Sequence, residues 1–251
     1  MLIMGILNVT PDSFADGGRH NDFDAAVARG LEMIAEGVDI IDIGGESTRP
    51  GADRVSGAEE IERTIPVITE LAKHGARISI DTMRASTAEA AIKAGASIIN
   101  DVSGGLADPN MLHTAALLKV PYIAMHWRGQ SKDMNSKAVY GDVVSDVISE
   151  LQERISAALD AGIQSGNLII DPGLGFAKEA EHNWKIIDSI SKFVELGYPV
   201  LIGASRKRFL GGESPDEREQ ATIELTKRLA TTGIWAVRVH SVKPHREVLA
   251  Q

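Results

Sequence analysis

A chain of 251 residues with 43% hydrophobic and 24% charged side chains has an ordinary globular make-up, and no apolar run in it reaches the length of a membrane span. A formal charge of −9 with no broad basic face argues against a nucleic-acid surface, and the absence of cysteine excludes disulfides, thiolate nucleophiles and cysteine metal sites. No linker, charge block or low-complexity tract divides the chain, so one domain over residues 1–251 is expected. With no basic segment and apolar stretch ahead of the first apolar run, the cytoplasm is the expected location.

The chain opens on an apolar run at 3–7, too short for an amphipathic helix and suited to a buried strand. At Asn8 it gives way to a polar loop carrying Thr10, Asp12, Ser13, Phe14, Asp16 and a glycine pair at 17–18, which reads as an active-site loop. Seven more runs of strand length follow at 38–43, 78–80, 96–99, 120–125, 168–170, 198–202 and 234–239.

Helical periodicity fills the intervals. Phe23, Val27, Leu31 and Ile34 share a face ahead of Gly37; Ser56 to Glu59 form a capping box before Ile61, Ile65 and Ile68, with Pro66 predicting a kink. Residues 85–94 end at Gly95, and Asp108-Pro109 reads as an N-cap with proline at the first helical position. Val144, Ile148, Leu151, Ile155 and Leu159 make the clearest stripe; Ile186, Ile187, Ile190 and Val194 make one more, ending at Gly197. Ser214 to Glu217 open a helix that runs to Gly233, and a last helix after Pro244 has at most two turns.

Eight strand and helix units in this order imply parallel pairing through right-handed crossovers, and so a (β/α)8 TIM barrel. An open doubly wound sheet ranks second, and its dinucleotide version lacks the G-x-G-x-x-G turn after the first strand.

A polar cluster recurs at the end of every apolar run: Asn8; Asp42 and then 44–51; Asp81; Asn100 with Asp101; His126; Asp171 and then 172–176; Ser205 to Lys207; and Arg238 with His240. In a barrel these positions converge on one mouth. One buried Asp or Asn is as readily a structural hydrogen-bonding group as a functional one, but a full ring carries a desolvation cost that a ligand would offset. The seven histidines are dispersed without H-E-x-x-H, which argues against zinc, while Mg2+ carried in on a phosphorylated substrate and touching Asn8 suits the oxygen-rich set. Positive charge for an anion is concentrated at 205–208, with Arg238 and His240 beyond; a Schiff-base aldolase through Lys207 is a weaker reading of the same residues.

Seven stretches carry a resemblance. M-G-I-L-N-V-T-P-D-S-F at 4–14, G-G-E-S-T-R-P-G at 44–51, I-D-T at 80–82, N-D-V at 100–102, D-P-G-L-G-F-A-K at 171–178, G-A-S-R-K at 203–207 and R-V-H at 238–240 follow the order of bacterial dihydropteroate synthases over almost the whole chain. The chain resembles that family. The resemblance implies a TIM barrel that joins p-aminobenzoate to 6-hydroxymethyl-7,8-dihydropterin pyrophosphate, giving 7,8-dihydropteroate and pyrophosphate in folate biosynthesis. It implies a pterin site of Asp81, Asn100, Val102, Met125, Asp171, Phe176, Gly203, Lys207 and Arg238, although Met125 and Val102 suit plain barrel core equally well. Phe14, Thr48, Arg49, Pro50 and Ser205 match the p-aminobenzoate site, where sulfonamides are the expected inhibitors. Asn8, Arg238 and His240 match the pyrophosphate site, with Asn8 on Mg2+ as the cofactor.

Catalytic roles fall by the same resemblance to Asp16, Lys207, Asp171 and Arg238, in a dissociative substitution whose cationic methylene Asp16 helps to stabilise. A homodimer paired through the last helices is implied as well. The chain departs from the pattern at Ser241, where the family shows aspartate, and in having only 245–251 for its final helix. Two alternatives stand beside the synthase: a pterin-dependent methyltransferase on the same barrel, against which the first two loop motifs and 205–207 argue, and a degenerate pterin-binding paralogue without turnover.

Overall fold

The structure, a computed structural model, describes residues 1–10, 18–46, 55–129 and 134–250. Eight strands alternate with helices: β1 (Leu2–Asn8), α1 (Gly18–Ala35), β2 (Ile40–Gly44), α2 (Gly57–Lys73), β3 (Ile78–Asp81), α3 (Ala85–Ala94), β4 (Ile98–Asp101), α4 (Met111–Leu118), β5 (Tyr122–Met125), α5 (Val143–Asp160), β6 (Leu168–Asp171), α6 (Ala180–Asp188), α7 (Ile190–Val194), β7 (Leu201–Ile202), α8 (Pro215–Leu229), β8 (Ala236–Val239) and α9 (Lys243–Leu249). All strand pairings are parallel, in the order β6-β5-β4-β3-β2-β1-β8-β7. The remaining seam is bridged where Ile170 pairs with Val200 and the Ile170 N–H donates to the Pro199 carbonyl at 2.9 Å. This is the expected TIM barrel, nearly closed.

Strand alternation sorts the core into two layers. Met4, Ile40, Ile98, Ile123, Ile169, Leu201 and Ala236 form one cluster, drawn from one face of their strands. Their chain neighbours Ile3, Ile41, Ile99, Tyr122, Ala124, Leu168, Ile170, Ile202 and Val237 belong to the larger cluster packed against the helices. Both faces of a parallel strand are buried, which is why these runs read as continuous apolar segments and not as alternating ones.

Local signals held at most helix ends. The Ser56 and Ser214 hydroxyls accept from the N–H groups of Glu59 and Glu217, each at 3.2 Å, and Gly95 closes α3 at φ +119. Pro66 sits inside α2, which runs on to Lys73. Three readings are corrected. Asp108 does not cap α4, which starts at Met111; its carboxylate accepts from Asn110 N–H at 2.9 Å and, across the fold, from Ala85 N–H at the start of α3 at 2.8 Å. On α5 the buried stripe is Val143, Val144, Val147, Leu151, Ile155 and Ala158; Ile148 is only partly buried and Leu159 is exposed, because at about 100° per residue both sit to one side of the direction on which 144, 147, 151, 155 and 158 centre. The stripe at 186–194 is divided at Ser189 into α6 and α7. No helix among the described residues is long and apolar enough to cross a membrane.

Candidate active site

Two residues beyond the inner apolar cluster, on the same strand face, the side chains change character. Ile40 is followed by Asp42, Ile98 by Asn100, Ile123 by Met125, Ile169 by Asp171, Leu201 by Gly203 and Ala236 by Arg238. The pleat therefore directs these six residues to the same interior side, one step nearer the C-terminal ends of the strands. Asp81 joins them, because it pairs in register with Gly44 on β2 and Asn100 on β4.

Arg238 organises this layer. Its Nε donates to Asp42 Oδ2 and its Nη2 to Asp81 Oδ2, both at 2.6 Å, while Asn100 Nδ2 donates to the same Asp42 oxygen at 3.1 Å. Asp42 is fully buried and Asp81 and Asn100 nearly so. Burial pushes the Asp81 carboxyl up to about 7, against the pull of Arg238 and with the help of Asp42 and Glu60. For Arg238, burial works against its charge, yet the two carboxylates outweigh it and hold the guanidinium firmly protonated. The mouth thus carries two acids beside one cation, with Asp42 orienting both Arg238 and Asn100.

A second group closes in from β6 and β7. Asp171 Oδ1 accepts from Gly173 N–H at 2.7 Å, and burial raises its carboxyl above the ordinary range, offset by that bond, Lys207 and Arg238. Gly203 lies between Asp171 and Arg238: a Cβ on it would stand 3.8 Å from Asp171 Oδ2 and 3.9 Å from Arg238 Cβ. Lys207 extends over the turn at 173–176, donating to the Leu174 carbonyl and lying 4.6 Å from the centroid of the Phe176 ring. Burial pushes its ammonium down to about 8, with Asp171 holding it up.

At the outer rim, Ser205 Oγ accepts from His240 N–H at 3.2 Å and lies 2.9 Å from His240 Nδ1. With Nδ1 accepting the hydroxyl proton, a neutral His240 carries its own proton on Nε2. Asn8 ends β1 opposite Gly44, whose missing Cβ would stand 3.8 Å from Asn8 Oδ1. The backbone between Ser205 and Lys207 takes a left-handed turn, Arg206 at φ +58, fastened by Nε to Glu219 Oε2 at 2.6 Å and Nη2 to Ser241 Oγ at 2.8 Å. Ser241 thus still supplies a hydrogen-bond acceptor at the position where aspartate was expected.

The profile of the family described as Pterin binding enzyme matches residues 4–240. The chain belongs to that family. It is 48% identical over 257 residues to a dihydropteroate synthase of Mycobacterium leprae (strain TN), covering 98% of this chain and 90% of the relative. Among solved structures, a Xanthomonas albilineans dihydropteroate synthase with 4-aminobenzoic acid has 44% identity and a TM-score of 0.93 over 99% of this chain and 90% of its own. A second structure of the Xanthomonas enzyme, in complex with 7,8-dihydropteroate, has 40% identity and a TM-score of 0.89 over 99% and 91%. The methyltransferase and binding-only readings are not favoured by these relatives.

Within this pterin-binding barrel the structure brings together Asp81, Asn100, Asp171, Gly203, Lys207, Phe176 and Arg238, and separately Ser205 and His240. Val102 and Met125 are buried beside them. Phe14, Asp16, Thr48, Arg49 and Pro50 lie outside the described residues. Two residues gained a place that the sequence reading had not assigned. Asp42 was visible at a strand end, and only its contact with Arg238 reveals its use. Lys178 was visible as the last letter of the 171–178 motif. Conversely, Asp101 turns to the other strand face and builds the loop after β4, accepting from Ser103 N–H, Ser103 Oγ, Gly105 N–H and Tyr122 Oη at 2.7–2.8 Å.

Proposed function

We propose that the chain is a transferase of the dihydropteroate synthase type, condensing 6-hydroxymethyl-7,8-dihydropterin pyrophosphate with p-aminobenzoate. The observation that carries this is the interior polar layer, in which carboxylates and an amide stand beside Lys207 and Arg238 at one end of an otherwise apolar barrel. A flat pterin presents both donors and acceptors along its edge, and a dry site that offers the complements rejects rings lacking them. Asp171 keeps Oδ1 on Gly173 and presents its other oxygen towards Gly203, where the absent side chain leaves room for a ring. Lys207 supplies a donor from the opposite side and Phe176 an apolar wall.

The carbon–oxygen bond to pyrophosphate breaks first and leaves a cationic pterin methylene; the amine nitrogen of p-aminobenzoate then bonds to that carbon and the amine proton leaves to solvent. Negative charge grows on the departing pyrophosphate, so donors fixed in advance on that side lower the barrier. His240, held by Ser205, and Arg238, held by Asp42 and Asp81, are such fixed donors. Among the described residues no cluster of three or more carboxylate or imidazole side chains forms a metal cage. The donor set would fit Mg2+ only as an ion held mainly by the substrate's own phosphate groups; Asn8 is the residue that would hold it, and the ion would supply neutralisation of the leaving group. Sulfonamides are expected to compete with p-aminobenzoate. The same reading places the enzyme in the cytoplasm as a homodimer paired through its last helices, which light scattering tests.

The deciding experiment is pyrophosphate release from the pterin pyrophosphate with Mg2+, with and without p-aminobenzoate. Release that depends on the amine, matched by an equal amount of dihydropteroate, is expected. Pterin binding without release would instead favour a binding-only protein.

A further inference from the structure

Among the described residues outside the pterin layer, the most deeply buried unexplained cation is Lys178, in the loop after β6. Its Nζ has three partners: His126 Nδ1 at 2.9 Å, the Gly173 carbonyl at 3.1 Å and the Phe176 carbonyl at 3.1 Å. An ammonium has three protons and no lone pair, so all three bonds are donated and His126 must accept at Nδ1. The imidazole proton then sits on Nε2 and is donated to Glu150 Oε2 at 2.9 Å, while Arg128 Nε reaches both oxygens of Glu150 at 3.1 and 3.0 Å. Burial, reinforced by Lys178, pulls His126 down to about 4, so the ring is neutral and its Nδ1 lone pair is available. Burial also pulls Lys178 down to about 7, with Asp171 holding it up.

We propose that Lys178 is a positioning residue for the transfer reaction, locking the turn at 173–176 and through it placing Lys207 and Phe176 against the pterin ring. The turn is held from both sides of one residue: Asp171 takes the Gly173 N–H at 2.7 Å and Lys178 takes its carbonyl. Gly173 packs too closely on the His126 carbonyl oxygen to carry a side chain, since a Cβ there would lie 2.4 Å from it. The next three residues all touch Lys207, through the Leu174 carbonyl, the Gly175 backbone and the Phe176 ring; a Cβ on Gly175 would stand 2.7 Å from Lys207 Cδ. All three Lys178 hydrogen bonds go to His126 and to the backbone of the turn. His126, aligned by Glu150, carries the arrangement back to α5 and fixes the third donor of Lys178.

The inference rests on the synthase reading, and the test separates the two. Full-length wild type, Lys178→Met, His126→Leu and His126→Gln are compared for kcat, for KM of each substrate, for pterin affinity by calorimetry and for melting temperature. A turn displaced by about 1 Å costs up to roughly 100-fold in rate. Lys178→Met and His126→Leu are expected to weaken pterin binding about 10-fold or more and to lower kcat, with the KM for p-aminobenzoate moving less, by the logic of lost positioning. His126→Gln, whose amide oxygen can accept from Lys178, is expected to recover most of the loss. If Lys178→Met does not fold, the His126 pair decides. Pterin affinity within twofold of wild type in the folded variants would overturn the proposal. So would a fall in kcat alone with both KM values unchanged, which signals fewer folded molecules, or equal defects in His126→Leu and His126→Gln. A wild type without turnover counts against the synthase reading, while calorimetry still reads the turn.

Discussion

Arg238 Nη2 lies 2.6 Å from Asp81 Oδ2, joining the last strand of the barrel to the third across 157 residues of sequence. With Asp42 on its Nε, this arginine compensates two buried carboxylates at once. Removing one member of a buried pair costs about 3–5 kcal/mol because the other is left unpaired. Arg238→Met is therefore expected to lower unfolding stability by about that amount, read from urea melts, whereas Arg238→Met with Asp42→Asn and Asp81→Asn recovers part of it. A single mutant as stable as wild type would show the pair to be unimportant to the fold.

Asp81 also makes stability depend on pH. Its folded pKa, about 7, lies above the ordinary 3.8, so the folded state holds a proton that the unfolded chain has lost. Its contribution is fully present below about pH 4 and is lost as pH rises through about 7. Replacing Asp81 with Asn is expected to flatten the fall in stability over that window, measured as melting midpoint against pH; an unchanged slope would assign the fall to other groups.

Asp171→Asn is expected to weaken pterin binding more than p-aminobenzoate binding. A hydrogen bond to a charged group contributes about 1.5–3 kcal/mol, or roughly 10- to 100-fold in affinity. Calorimetry with a pterin ligand, and with p-aminobenzoate once pyrophosphate is bound, reads the two separately. Equal losses would remove Asp171 from the pterin edge.

Lys207 carries its positive charge, and the third N–H that comes with it, only while protonated, and burial brings its ammonium down to about 8. The charged form dominates below that value and is lost above it. The kcat/KM for the pterin substrate is therefore expected to fall on the alkaline side with a midpoint near 8 in the free enzyme, and Lys207→Arg to move that limb beyond the measurable range. An alkaline limb unmoved in Lys207→Arg would trace it to another residue.

Chelation with EDTA is expected to abolish turnover and Mg2+ to restore it. Asn8→Ala is expected to raise the half-saturating Mg2+ concentration several-fold with only a small change in melting temperature, since Asn8 is the terminal and only partly buried residue of its strand. An unchanged Mg2+ requirement would remove Asn8 from the ion.

Much of this protein follows from local chemistry in its sequence. Continuous apolar runs mark strands buried on both faces, Ser56 and Ser214 mark helix starts through oxygens that satisfy orphan N–H groups, and the period-2 pleat then puts Asp42, Asn100, Asp171 and Arg238 on one side. The motifs at 100–102, 171–178, 203–207 and 238–240 are readable as well and carry most of the pterin set, while the motif at 44–51 carries Thr48, Arg49 and Pro50 of the p-aminobenzoate site. Asp108 and Asp101 show the limit: a carboxylate beside a helix start or at a strand end looks alike in sequence whether it caps locally, bonds to Ala85 on another helix, or builds its own loop. Only tertiary structure decided that Asp42 and Asp81 share Arg238, that Lys178 locks the turn beneath Lys207, and that Ser241 can serve as an acceptor for Arg206. The Arg238 contacts depend on barrel closure bringing β8 within reach of β2 and β3, and those of Arg206 with Ser241 and of Lys178 with His126 on loops after different strands meeting; a bond of about 3 Å between groups far apart in the chain leaves no periodicity in the sequence to read.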